Sequence, residues 1–80
     1  MSKLPLGLLQ QFVLIARQGN LSRAAREANL TVSALSHQMK QLEERLDRRL
    51  FERGPRGGAL TVDGNCLLEA VGEHVDGIEH

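Results

Sequence analysis

Residues 19–43 read GNLSRAAREANLTVSALSHQMKQLE, a stretch whose residue spacing predicts two helices joined by a tight corner. Gly19 suits the left-handed position that ends a helix, and Asn20 is a good N-cap for a helix from Leu21 to about Ala28. Ala24 and Ala25 let a neighbouring helix approach closely. Asn29, Leu30 and Thr31 form the connection, with Leu30 plugging the core and Thr31 capping the helix that follows. In that helix Leu35, Met39, Leu42 and Leu46 recur at helical spacing within one arc, while Ser33, His37 and Lys40 lie opposite. Solvated faces usually carry long Glu and Lys side chains. This one presents hydroxyls, an imidazole and, at its side, Ala34.

Upstream, Leu6, Leu9, Phe12, Val13 and Ala16 mark one face of a helix from about Leu6 to Gln18, widened by Leu8 and Ile15. Downstream, the helix with the short outer face continues to about Asp47. LFER (Leu50–Arg53) and ALT (Ala59–Thr61) are expected as two short strands around the turn signal GPRGG. Thr61 then caps a fourth helix that runs to the last residue. Along it Leu68, Val71, Val75 and Ile78 follow a 3, 4, 3 spacing, the start of a coiled-coil seam, which Gly72 and Gly77 weaken.

The 80 residues, 41% hydrophobic and 25% charged, suit one small globular domain with a modest core, to which dimerisation would add stability. Phe12 and Phe51 are the only aromatics, which disfavours stacking of exposed bases as in single-strand binders. The single Cys66 cannot form an internal disulfide, and no secretory pattern opens the chain, so a cytoplasmic protein is expected. The longest apolar run, Phe12 to Ala16, is too short to span a bilayer.

A net charge of zero conceals an asymmetry. All ten Lys and Arg lie in positions 1–60 with five acids, giving +5, whereas positions 61–80 hold five acids and no Lys or Arg, giving −5. A basic body joined to an acidic last helix suits contact of the body with a polyanion while the tail stays clear.

A helix pair with a tight turn, followed by a two-stranded basic loop, is the pattern of a winged helix-turn-helix, mainly α, with a three-helix core and a two-stranded wing. In that geometry the second helix of the pair enters the major groove of double-stranded DNA. Its first turns must be slim enough to approach base edges, and Thr, Ser, His and Ala satisfy that requirement while offering hydrogen bonds or methyl contact. The competing reading is an exposed helix of a small bundle, or a winged-helix module that binds protein instead.

Leu9 and Phe12, GNLSRAA (Gly19–Ala25), SALS (Ser33–Ser36), Gln38, Leu42 and Glu43, LFER, and Leu60, Thr61 and Gly64 (LTxxG) together give many fixed spacings. With them the chain resembles the DNA-binding domain of LysR-type transcriptional regulators over nearly its whole length. The resemblance implies a winged helix-turn-helix over residues 1–61 and a linker helix over 62–80 that mediates homodimerisation. It also implies a bacterial regulator that normally carries a C-terminal domain for a small-molecule effector, so that these residues are expected to be either a piece of a longer regulator or a stand-alone domain. No cofactor is expected in this domain.

Four positions depart from that pattern. Val32 stands where the family commonly has a Gln, so readout there should become apolar; His37 replaces a frequent Arg, and histidine changes charge near neutral pH. Asp47 replaces a Gly that usually ends the third helix, and Ala28 replaces a Leu.

The candidate DNA-contacting residues are therefore Arg23, Thr31, Val32, Ser33, Ala34, Ser36, His37 and Lys40, with Arg53 and Arg56 from the wing reaching phosphates or a narrow minor groove. Glu43 is expected to serve as an internal ion-pair or capping partner. An enzyme is not expected. Ser33 and His37 are i, i+4 neighbours, but Glu44 lies about 10 Å further along the axis and cannot orient the imidazole. GPRGG lacks the Lys-Ser/Thr pair of a phosphate-binding loop, and Cys66, His74 and His80 match no compact metal-ligand spacing.

Overall fold

The computed structural model describes residues 5–52 and 59–79, the last helix by its backbone alone from residue 73 onward. Four helices follow in order: α1 (Leu6–Gln18), α2 (Leu21–Glu27), α3 (Val32–Leu46) and α4 (Val62–Glu79). Their ends are set by the residues that predicted them. Gly19 takes φ 65° after α1 and donates its N–H to the Ile15 carbonyl at 2.8 Å. The Asn20 side chain accepts from the Arg23 N–H at 2.9 Å, and Thr31 Oγ1 accepts from the Ala34 N–H at 3.0 Å. Thr61 Oγ1 likewise accepts from the Gly64 N–H at 3.0 Å. Each such cap stabilises a helix by about 1 kcal/mol. Between α2 and α3 the chain turns at Asn29, φ 63°, a conformation Asn tolerates better than most residues. Leu30 then donates its N–H to the Ala25 carbonyl at 2.8 Å.

α1 packs against α2, α3 and α4, and α2 packs against α3. The buried core draws Leu9, Phe12, Val13 and Ile15 from α1, Ala24 and Ala25 from α2, Leu35, Met39 and Leu42 from α3, and Leu50 beyond it. Ala24 and Ala25 are all but inaccessible, as close helix approach requires. Two positions on α1 differ from the periodicity. Leu6, expected inward, is 41% exposed at the first position of α1, where the helix begins. Ile15, expected only to widen the face, is fully buried, because three helices surround α1 and its buried arc is correspondingly broad.

The corner after α3 is more tightly built than its sequence implied. Asp47 ends α3 at φ 55°, and the Arg48 N–H returns to the Glu43 carbonyl at 3.2 Å, the wrapped end usually given to Gly. The Glu43 carboxylate then accepts two backbone N–H groups, Leu50 at 2.7 Å and Phe51 at 3.2 Å. Of the two roles expected for it, the structure selects capping. The ring of Phe51 rests on Phe12, centroids 5.5 Å apart and tilted by 58°. Where two strands were expected, the described residues show a single antiparallel bridge, Phe51 to Leu60, with the Glu52 N–H on the Ala59 carbonyl at 2.8 Å and the Thr61 N–H on the Leu50 carbonyl at 3.0 Å. GPRGG lies outside the described residues. α4 begins directly against this bridge: a Cβ on Gly64 would sit 2.2 Å from the Leu50 carbonyl oxygen, so only Gly fits.

Candidate nucleic-acid interface

α3 is pinned from within by Leu35, Met39 and Leu42, all buried. The same rotation that buries them turns Ser33, Ser36, His37 and Lys40 outward, and all four are exposed. Thr31 and Val32 open the helix beside them, Val32 at 43% exposure, and Ala34 is half-buried on one flank. Arg23 stands exposed on the preceding helix.

Most of this face is chemically unspent. The Thr31 hydroxyl is committed to the Ala34 N–H. Among the described residues no hydrogen bond or ion pair engages the side chains of Arg23, Ser33, Ser36, His37 or Lys40. Two hydroxyls, an imidazole, an ammonium and a guanidinium are thus displayed on a rigid scaffold with their donors available. Their shortness over the first turns lets an opposing surface come near the helix backbone, and the cationic groups favour an anionic one.

Other expected members fall elsewhere. Arg53 and Arg56 lie outside the described residues, as do the side chains of Val75 and Ile78. Leu68 and Val71, assigned to an intermolecular seam, are half-buried against the core of their own chain, so only part of each remains for a second chain.

Sequence reasoning passed over Gln41. It is exposed one turn beyond His37 and lines an open cleft of about 500 Å³ with Gln38 and Arg45 of α3, Leu8 and Gln11 of α1, and Pro5 just before α1. Its i, i+4 relation to His37 was the available signal.

The described residues contain no cluster of His, Cys, Asp or Glu able to hold a metal, and Cys66 is an exposed free thiol. No described helix is long and apolar enough to cross a membrane. Ser33 and His37 both face solvent without bonding to each other.

Comparison with known proteins follows the same residues. Positions 6–65 match the family described as bacterial regulatory helix-turn-helix protein, lysR family. The chain is 43% identical over 75 residues to the HTH-type transcriptional activator AmpR of Citrobacter freundii, covering 94% of this chain and 26% of that protein. It is 51% identical over 65 residues to the HTH-type transcriptional regulator DgdR of Burkholderia cepacia, covering 81% and 22%. The chain thus spans about a quarter of the length of the relatives it matches. Its fold superimposes on the BenM_DBD complex with catB site 1 DNA with a TM-score of 0.84 at 26% identity, covering 95% of this chain and 82% of that one. For the CbnR_DBD–DNA complex the TM-score is 0.83 at 30% identity, covering 91% and 84%.

Proposed function

The chain belongs to the LysR family of bacterial helix-turn-helix regulators, with a mainly α, winged-helix fold, and from that premise we propose that it binds double-stranded DNA sequence-specifically to regulate transcription. The observation that carries this reading is α3: its inner side is fully buried, while its outer side displays short side chains with unengaged donors. Seated in the major groove, that face brings Ser33, Ser36 and His37 to base edges and lets Lys40 and Arg23 meet phosphates on either side. Arg53 and Arg56, outside the described residues, are proposed to add contacts to the adjacent backbone or minor groove.

Two chains act together in this reading, joined through the seam of Leu68, Val71, Val75 and Ile78 on α4. Paired reading helices then stand about 34 Å apart or a multiple of it, so the operator is roughly palindromic. The cytoplasm, where bacterial DNA lies, is the proposed place of work. Where such a chain is joined to a further domain, a small-molecule effector would act through that domain.

Selection of bound sites from randomised duplex, followed by titration at several salt concentrations, tests the proposal. A recurring half-site and an affinity that falls steeply with salt are expected. Failure to enrich any sequence, or affinity indifferent to salt, overturns it in favour of a protein-binding role for the same face.

A further inference from the structure

Among the described residues, three large apolar side chains stand exposed: Leu6 at 41%, Val32 at 43% and Val62 at 80%. Leu6 and Val62 open α1 and α4, whereas Val32 opens the helix that presents the candidate reading face. The N-terminal residues of a recognition helix are those that meet base edges. At that position a polar side chain would select a base by hydrogen bonds, which Val cannot make.

An apolar side chain has one partner on the floor of the major groove, the methyl group at C5 of a pyrimidine. We propose that Val32 reads this 5-methyl group, and that the chain therefore distinguishes methylated from unmethylated pyrimidine at one position in each half-site. The inference rests on the DNA-binding reading above.

Several observations bear on it together. Val32 is followed by Ser33 and, one turn on, Ser36, both short and exposed, so no long neighbour overshadows it. Thr31 holds the helix start in place through its bond to the Ala34 N–H at 3.0 Å, which fixes the backbone carrying Val32. Valine is also stiff about χ1, so little side-chain freedom is lost when it docks. Thymine carries the methyl group naturally, and cytosine acquires the same group when methylated at C5. The chemistry Val32 would recognise is common to both, and unmodified cytosine lacks it.

The test uses the 80-residue chain and the duplex obtained by selection. Each thymine is replaced in turn by uracil, which deletes only the methyl group, and binding is measured for the native chain and for Val32→Ser. One thymine per half-site should stand out, its replacement weakening the native chain about fourfold, the worth of one buried methyl group. At that same position Val32→Ser should respond by less than about twofold. A 5-methylcytosine·guanine pair placed there should bind the native chain more tightly than its unmethylated counterpart.

Circular dichroism of Val32→Ser checks the fold, and the uracil series on the native chain decides the matter without any variant. If no uracil replacement weakens the native chain, or if Val32→Ser loses as much as the native chain, the inference is overturned while DNA binding stands. If no duplex is selected at all, both readings fall.

Discussion

Gly64 and Asp47 show how differently two residues with unusual backbone or spacing needs can be read. Gly64 faces the Leu50 carbonyl so closely that a methyl group would overlap it. Gly64→Ala is therefore expected to destabilise the domain by about 2–4 kcal/mol, seen as a lowered urea midpoint with little change in slope. The sequence marked Gly64 only through the LTxxG spacing, because nothing local reveals that a carbonyl fourteen residues upstream will press on it. Asp47 was legible only through the resemblance, which marks this position as that of the Gly that usually ends the third helix. Asp47→Gly should raise stability by about 0.5–1 kcal/mol in the same measurement, relief of left-handed strain outweighing the added freedom of the unfolded chain. The Arg48 side chain bonds the backbone carbonyl of residue 47 at 3.1 Å, which the substitution preserves. Glu43 lay between these cases: a partner was expected, but that it would be two backbone N–H groups depends on a chain reversal that the helix periodicity does not encode.

The helices were the most legible elements, because each is bounded by cap chemistry and carries an apolar arc at its own period. α1 was bounded correctly at Leu6 and Gln18, and α3 begins directly after the cap at Thr31. The strands were legible where they are described, and Arg53 of the first lies outside the described residues. Among the described residues Leu50–Glu52 and Ala59–Thr61 pair through one bridge, Phe51 to Leu60, flanked by two backbone hydrogen bonds, while the Phe51 N–H, turned away from the partner strand, is taken by Glu43. On α3 the outer arc was also legible, Ser33, Ser36, His37 and Lys40 all being exposed as their spacing predicts. If that arc meets DNA, Lys40→Ala should weaken binding to all sequences alike and flatten the slope of log affinity against log salt by about 1, measured by fluorescence anisotropy. Ser33→Ala should instead change which half-site is selected.

At the scale of the whole molecule, a small core is arranged around one central helix, with opposite charge segregated along the chain. α1 touches every other helix, so the domain has few independent parts. The charge division was fully legible, as it needs only counting. The half-burial of Leu68 and Val71 against their own core was not, because a 3, 4, 3 spacing serves an internal neighbour as well as a second copy. If α4 also pairs with its twin, the melting temperature should rise with protein concentration, read by differential scanning calorimetry over a hundredfold range. A melting temperature independent of concentration would show that the seam is spent within one chain. The contact at Gly64 bears on that pairing mechanically. With no slack between Leu50 and the first turn of α4, neither can slide or roll without displacing the other, and Thr61 ties both by accepting from Gly64 and donating to the Arg49 carbonyl. The joint behaves as a welded bracket rather than a hinge. If two copies of α4 pair, a change in their crossing angle would therefore be expected to reach Leu50 as well as α4 itself.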